Sequence, residues 1–238
     1  MVPMLDELCP VIKIASGDVT FEPVIRAAAK TGKPMIVSTG LATVDEVDRA
    51  VGWVRAEVGE ELLSDRLALM HCVSAYPTPI EEANVRSVPF LAQRYGLATG
   101  YSNHVLGGDA CMAAVALGAD IIEVHFTDNK TGRDFRDHEL SFEPDELRNL
   151  IASLKRIRSS LGGFHKVPGK SELPARDATR KGLVAAHDLA AGIELTRDDL
   201  MFARPASEFS ADQINDVIGR CILNALGSGE ILTHDNVE

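Results

Sequence analysis

Two histidines, His104 and His125, stand at the ends of two successive apolar segments that we predict to be strands. Neighbouring strand ends lie about 5 Å apart in a sheet, so two imidazoles placed there could bind one divalent ion. Such a site would leave coordination positions open for water and substrate. The two histidines are 21 positions apart, which matches no local metal-binding motif, and a hydrogen-bonded core histidine is the more common alternative. His71 also ends a predicted strand, and we favour a structural role for it.

A cation and three hydroxyl groups lie at other strand ends: Lys13, Ser16, Ser38 and Ser102. Ser16 and Ser38 precede small, permissive turns in which backbone N–H groups can approach an anion. Taken together, these groups suit a phosphate. Taken one at a time, each serine is more often a residue that forms a turn.

Four polar groups follow at later loop positions: Asp18, Tyr76, Asp137 and His138. Carboxylates and a phenol can hydrogen-bond sugar hydroxyls, but a solvated loop explains each of them equally well. The charged run DNKTGRDFRDHE, which contains Asp137, is typical of a solvated loop.

The elements that must position these residues alternate along the chain. Short apolar runs start near residues 11, 35, 67, 97 and 120, and amphipathic segments lie between them. Continuous apolar strands that alternate with helices predict a parallel sheet covered by helices. Thr43 and Glu46 form a capping box for one helix, and Pro144 suits the first turn of the last one. Five strands fit a (β/α) barrel or an open doubly wound sheet, and no GxGxxG motif follows the first strand.

Composition excludes several classes of protein. Lys and Arg number 24 and Asp and Glu 35, so the net charge of −11 argues against nucleic acid as the main partner. The sequence contains no run of about 18 apolar residues, the length that a membrane-spanning helix needs. The acidic opening MVPMLDELCP does not resemble a secretory signal. The four cysteines are far apart, which favours reduced thiols and a cytoplasmic location.

The composition of the chain changes near residue 162, where a stretch rich in Gly, Pro and charged residues begins. This stretch, residues 163–177, is typical of a linker. We therefore predict one domain at residues 1–162 and a small β-rich domain at 178–238.

Seven segments, in this order, resemble the sialic acid synthase family, which includes the N-acetylneuraminate, legionaminate and pseudaminate synthases and related spore-coat polysaccharide proteins. The segments are KIASGD, KPMIVSTGLAT, LMHCVSAYPTP, GYSNHVLG, AAVALGADIIEVHFT, DHELSFEPDEL and RKGLVAAHDLAAG. The last one begins a tail similar to the family's C-terminal SAF (antifreeze-like) domain. The resemblance implies a TIM barrel followed by a SAF domain, in a domain-swapped homodimer.

The resemblance also implies a reaction, in which phosphoenolpyruvate condenses with an N-acetylmannosamine-type aldehyde sugar to give a nonulosonic acid and phosphate. It implies a divalent metal, Mn²⁺ or Mg²⁺, and assigns roles to the residues that match its motifs. The metal would be held by His104 and His125. Phosphoenolpyruvate would be bound by Lys13, Ser16, Ser38 and Ser102. The sugar would be bound by Tyr76, Asp137 and Arg204. The catalytic residues would be Lys13 and Asp18.

The sequence departs from the family pattern at several places. Asp18 stands where Glu is usual, Asn103 where Asp is common, and Ala206 where glycine follows the arginine and proline. About three β-α units that precede the KIASG strand in the family are absent. We therefore expect a partial barrel of about five strands, with the missing strands supplied by a second polypeptide or lost to truncation. The alternatives are a surface-polysaccharide synthase that uses a different sugar, and a metal- or phosphosugar-binding or assembly protein without activity.

Overall fold

The computed structural model describes residues 2–135, 137–206 and 208–238, apart from the Asp177 side chain. The chain forms two compact units, residues 1–163 and 164–238. None of the described helices combines the length and apolarity needed to cross a bilayer.

Five parallel strands form the sheet of the first unit, and they lie side by side in chain order. The strands are β1 (Ile12–Ile14), β2 (Met35–Ser38), β3 (Leu67–Cys72), β4 (Ala98–Asn103) and β5 (Ile121–Val124). An open doubly wound sheet reverses its strand order at a switch point, and this sheet does not. The order is that of consecutive β-α units in a barrel, so the prediction of an α/β partial barrel of five strands is confirmed.

In the described part of this unit, one α-helix precedes β1, five lie between the strands and two follow β5. They are α1 (Val2–Leu8), α2 (Glu22–Ala29), α3 (Val44–Val58), α4 (Glu60–Arg66), α5 (Ser87–Tyr95), α6 (Asp109–Ala116), α7 (Asp137–Leu140) and α8 (Pro144–Ser160). The capping box predicted for α3 is present, and a second one joins Glu143 to Glu146 at the start of α8. The sequence predicts a helix over 83–95, but α5 starts only at Ser87. This start places Pro89 in the first turn, where its missing N–H costs no helical hydrogen bond.

Side chains alternate between the two faces of the strands. One face packs against the helices, and its buried residues include Ile12, Val37 and Leu69. The other face carries the charged and hydroxyl side chains of the candidate site described below. The helices are also tied to each other, since Arg94 of α5 binds Asp48 of α3 through two hydrogen bonds of 2.9 and 2.5 Å. Tyr95 donates a third hydrogen bond to Asp48 at 2.7 Å, and the bonds from Arg94 and Tyr95 lower the pKa of Asp48 to about 2.

The second unit is small and consists mainly of short extended segments. It contains α9 (Leu173–Thr179), β6 (Gly182–Ala185), β7 (Leu200–Ala203) and α10 (Ile214–Val217). β6 and β7 pair in antiparallel fashion, and isolated bridges join further segments to them. The unit has its own apolar core, which includes Leu183, Leu195 and Phe209. α9 lies largely within the segment predicted as a linker.

Candidate active site at the strand ends

The carboxyl ends of β1 to β5 bring most of the predicted site residues to one edge of the sheet. Residues that are paired across parallel strands point to the same face, so the pairing of Cys72 with Ser102 and of Ser102 with Glu123 defines one polar row. Ser38 pairs with Met70, two residues before Cys72, and therefore shares that face. Lys13 lies on the middle of the short strand β1. In parallel α/β folds, this edge is where ligands bind.

Glu123 connects two residues that the resemblance assigns to phosphoenolpyruvate. Ser102 Oγ donates a hydrogen bond of 2.7 Å to Glu123 Oε1, and Lys13 Nζ lies 3.5 Å from Glu123 Oε2. Sequence reasoning did not select Glu123. A signal was present, since it is an ionisable residue inside the otherwise apolar strand IIEV, but we treated that segment only as a strand.

Ser38 carries a hydroxyl that has no hydrogen-bond partner among the described residues, although it is only 3% exposed. Buried polar atoms in folded proteins are nearly always paired, and leaving one unpaired costs about 1–3 kcal/mol. Ser38 lies on β2, in sheet order between Lys13 on β1 and Ser102 on β4, so its hydroxyl is a candidate donor to a ligand at this edge of the sheet.

His104 is buried and held in one orientation. Its Nδ1 lies 2.6 Å from the carbonyl oxygen of Val73, which can only accept, so Nδ1 carries the proton. The Nε2 atom therefore has its lone pair free. Burial lowers the pKa of His104, which keeps the ring neutral at pH 7. A neutral imidazole whose other nitrogen is fixed by a carbonyl is the usual form of a metal-binding histidine.

His125 faces His104 across the site. The centroids of the two rings are 5.3 Å apart and the rings are nearly perpendicular, at 83°. Asp137 Oδ2 lies 3.9 Å from His125 Nδ1, and the Tyr76 ring lies 4.1 Å from the His104 ring and 5.9 Å from that of His125. The structure thus brings together the two predicted metal ligands and two of the predicted sugar-binding residues.

The donor set fits a divalent ion whose remaining ligands come from solvent or substrate. Two imidazoles are adjacent, His104 has the correct tautomer, and the carboxylate of Asp137 is close by. Over the part of the chain that the structure describes, no group of three or more His, Cys, Asp or Glu side chains could hold a metal ion. Metal binding by His104 and His125 therefore stays a prediction, and so does the choice between Mn²⁺ and Mg²⁺.

Three residues singled out in the sequence are not part of this cluster. The carboxylate of Asp18 makes no hydrogen bond or ion pair with any described residue, so its assignment as a catalytic residue stays a prediction. His138 Nδ1 bonds Thr127 Oγ1 at 2.9 Å and fixes its own loop. Arg204 belongs to the second unit, where it follows β7, and its assignment to the sugar stays a prediction.

His71 has the structural contact expected of a core histidine. Its Nε2 lies 2.9 Å from the carbonyl oxygen of Ala83, and the side chain is buried between the sheet and the helices. Burial lowers the pKa of His71. We therefore assign it no ligand.

The fold and the site define a class: a parallel α/β protein with a partial barrel, a polar strand edge and an adjacent pair of histidines. The chain belongs to the NeuB family, whose sequence profile matches residues 1–166, and a SAF domain follows at residues 180–238. The sequence resemblance to the sialic acid synthase family is thereby confirmed.

Individual relatives agree with this assignment. The chain is 34% identical to N,N'-diacetyllegionaminic acid synthase of Legionella pneumophila over 95% of this chain and 63% of that protein. It is 33% identical to N-acetylneuraminate-9-phosphate synthase of Drosophila melanogaster over 96% of this chain and 66% of that protein. The chain thus spans slightly less than two thirds of the length of either relative.

A solved structure shares the fold. N-acetylneuraminic acid synthetase of Leptospira borgpetersenii, crystallised with citrate, superposes with a TM-score of 0.67 and 36% sequence identity. The match covers 73% of this chain and 59% of that one. The similarity supports a partial barrel of the same kind.

Proposed function

We propose that this chain provides the phosphoenolpyruvate and metal site of a nonulosonic acid synthase. The enzyme would condense phosphoenolpyruvate with an N-acetylmannosamine-type sugar and release phosphate. One observation carries the proposal: the buried hydroxyl of Ser38 has no partner among the described residues, and it lies at a strand edge that also presents Lys13, Ser16 and Ser102. Membership of the NeuB family, and relatives named as synthases of this type, support it.

Phosphoenolpyruvate carries a phosphate and a carboxylate, and both need donors. Ser38 and Ser16 supply hydroxyls, and Lys13 supplies a positive charge. Lys13 and Ser102 both contact Glu123, so the three groups lie close enough together to act on one bound substrate. Charge-assisted hydrogen bonds of this kind are about twice as strong as neutral ones.

The sugar would lie on the other side of the site. Tyr76 and Asp137 are the polar groups beside the two histidines, and they can hydrogen-bond sugar hydroxyls. A divalent ion held by His104 and His125 would supply Lewis-acid polarisation of the sugar's aldehyde oxygen. The fixed Nδ1–H of His104 keeps Nε2 directed into the site.

The reaction assigns tasks to the residues of the site. Carbon 3 of phosphoenolpyruvate forms a bond to the aldehyde carbon, and positive charge develops at carbon 2. The aldehyde C=O π bond opens as this bond forms, and its oxygen takes up a proton. Water adds at carbon 2 and loses one proton, which balances the proton gained by the sugar oxygen. The tetrahedral intermediate then breaks its C–O bond to phosphate and becomes a ketone, and its hydroxyl proton leaves with the phosphate. Glu123 is well placed to take up the proton that the water loses because it lies beside Lys13 and Ser102, both assigned to phosphoenolpyruvate. Lys13 and the serine hydroxyls stabilise the departing phosphate.

The proposal requires more protein than these five strands. A closed barrel has eight strands, and among the described residues β1 pairs only with β2 and β5 only with β4. The remaining β-α units would come from further residues of the same polypeptide or from a second one. We also propose a domain-swapped homodimer in which Arg204 reaches the partner's site, and a cytoplasmic location consistent with four unpaired cysteines.

Two alternatives have support of their own. The relatives include synthases whose names specify different sugars, so a surface-polysaccharide synthase with another sugar fits the same site. The second alternative is a metal- or phosphosugar-binding or assembly protein without activity, which could use the same paired histidines and strand-end hydroxyls. An activity assay separates the two, because only the first releases phosphate.

The test is phosphate release from phosphoenolpyruvate, N-acetylmannosamine and Mn²⁺, measured for the chain and for a chimera. The chimera places the preceding β-α units of the Legionella synthase before residue 1. We expect the chimera to release phosphate and to form a nine-carbon acid detectable by mass spectrometry, and we expect its His104→Ala variant to do neither. A folded chimera that is inactive with N-acetylmannosamine and with the Legionella enzyme's own sugar would refute the proposal.

A further inference from the structure

Three small polar side chains converge on Gly40, which follows β2: one comes from the turn after β1, one from the last residue of β3 and one from the turn after β3. The Gly40 N–H donates to Ser16 Oγ at 3.0 Å, and Ser16 Oγ lies 3.0 Å from Cys72 Sγ. A methyl group on Gly40 would lie 2.5 Å from Ser74 Oγ and 2.8 Å from both Cys72 Sγ and Ser16 Oγ. We call Ser16, Gly40, Cys72 and Ser74 the Gly40 cluster. Its close packing leaves Ser16 little freedom.

The hydroxyl of Ser16 has one hydrogen and two lone pairs. The Gly40 N–H occupies one lone pair. The contact with Cys72 can run in two directions. If the thiol donates, it fills the second lone pair, and the Ser16 hydrogen is left for a ligand. If Ser16 donates to sulfur, its hydrogen is used up and cannot reach an anion.

The surroundings favour the thiol as the donor. Cys72 is only 5% exposed, and Ser16 Oγ is its hydrogen-bond partner among the described residues. Sulfur is a weak acceptor, whereas an anionic oxygen is a strong one. With an anion in the site, the arrangement that makes the strongest bonds has Ser16 donating to the anion and Cys72 donating to Ser16.

A second observation points to a ligand at this place. The unpartnered, buried hydroxyl of Ser38 lies on the same face of the sheet as Cys72 and belongs to the strand that leads into Gly40. Ser38 and Ser16 are thus two hydroxyls of adjacent strand ends that each have a hydrogen to donate. The direction of the hydrogen bond between Cys72 and Ser16 determines whether the Ser16 hydrogen is free for a ligand.

We propose that Cys72 is a positioning residue whose thiol hydrogen-bonds Ser16 Oγ and thereby commits the Ser16 hydroxyl to the substrate anion. The inference rests on the proposed function, since it takes phosphoenolpyruvate as that anion. Cys72 itself does not touch the substrate. Its effect passes entirely through Ser16, and a serine at position 72 can replace it because a hydroxyl also donates.

The test is a calorimetric titration of phosphoenolpyruvate into the full chain and four variants: Cys72→Ala, Cys72→Ser, Ser16→Ala and the Ser16→Ala/Cys72→Ala double variant. We expect Cys72→Ala and Ser16→Ala each to weaken binding about tenfold, the effect of about one charge-assisted hydrogen bond. Cys72→Ser should bind within about threefold of wild type. The double variant should bind no more weakly than Ser16→Ala, because the two residues act as one unit.

Several results would overturn the inference. Wild-type affinity in Cys72→Ala would show that the thiol does not position Ser16. Losses that multiply to about a hundredfold in the double variant would show that Cys72 acts independently. Failure of Cys72→Ser to rescue binding would leave only a packing role. A wild-type chain that binds neither phosphoenolpyruvate nor inorganic phosphate would instead refute the anion site of the proposed function, a result distinct from the other three.

An infrared measurement keeps the test valid if Cys72→Ala fails to fold. The spectrum of the phosphoenolpyruvate-bound wild type minus that of bound Cys72→Ser isolates the S–H stretch of Cys72. We expect this band at lower frequency than that of a free thiol, as for a hydrogen-bond donor. A band at the free-thiol frequency would show that the thiol does not donate and would overturn the inference.

Discussion

Gly40→Ala is the substitution that most directly tests how tightly the strand ends are packed. The added methyl carbon would lie 2.5 Å from Ser74 Oγ and 2.8 Å from Cys72 Sγ and Ser16 Oγ, and nonbonded atoms do not approach so closely. All three neighbours are short side chains with little room to retreat. Overpacking of this kind typically costs about 1–3 kcal/mol, so we expect the free energy of unfolding to fall by about 2 kcal/mol.

The same change should impair ligand binding more than a general loss of stability would. Pushing Ser16 and Cys72 apart breaks the contacts that direct the Ser16 hydroxyl, so phosphoenolpyruvate binding should weaken by about tenfold or more. Equilibrium urea unfolding measures the first effect, and calorimetric titration at a temperature where the variant is folded measures the second.

Gly52→Ala is the matched control. Gly52 lies inside α3, and a methyl group added to it would meet no atom within 4 Å. Removing a glycine from the middle of a helix should stabilise the chain by about 0.5–1 kcal/mol and leave binding unchanged. If Gly40→Ala were as stable as wild type and bound phosphoenolpyruvate within twofold of it, the account of the Gly40 cluster would be wrong.

Two further predictions concern other residues. Ser38→Ala should raise the free energy of unfolding of the ligand-free chain by about 1 kcal/mol, because it removes a buried unpaired hydroxyl. The same variant should bind phosphoenolpyruvate more weakly in calorimetry. A lower free energy of unfolding would contradict the assignment of Ser38 Oγ as an unpaired group. Asp48→Asn should lower the free energy of unfolding at pH 7 by less than about 1 kcal/mol, because the carboxylate is partly exposed. The pKa of Asp48 is about 2 in the fold and near 4 when unfolded, so the stabilisation is present above pH 4 and disappears as the pH falls towards 2. Urea unfolding of both proteins between pH 7 and 3 should therefore show the difference shrinking, and a difference that grew at low pH would refute the sign.

Much of the first unit could be predicted from local sequence patterns. The first four residues of β3, positions 67–70, form an apolar run, and the capping box of Thr43 and Glu46 marks the start of α3. These features are encoded within a few consecutive residues. The strand order that separates a barrel from a doubly wound sheet is not local, because it depends on which strands pair across long connections. The sequence therefore left both architectures open until the structure decided between them.

The candidate site was predictable in its residue types but not in its connections. The spacing of His104 and His125 indicated only that two strand ends carry imidazoles, and the structure shows that their rings face each other. Glu123 was missed because its partners Lys13 and Ser102 come from two other strands. Long-range contacts of this kind leave no local pattern. The sequence predicts Gly40 only as part of a permissive turn, since its packing constraint comes from side chains beyond that turn.

The central claim is that one strand edge binds phosphoenolpyruvate beside a divalent ion. A crystal structure of the chain with Mn²⁺ and phosphoenolpyruvate, with data collected at the manganese edge, tests it most directly. The account predicts an anomalous peak at coordination distance from Nε2 of His104 and from a ring nitrogen of His125. It also predicts the phosphoenolpyruvate within hydrogen-bond distance of Ser38 Oγ. Manganese bound elsewhere, or phosphoenolpyruvate away from the ends of β1 to β5, would contradict the account.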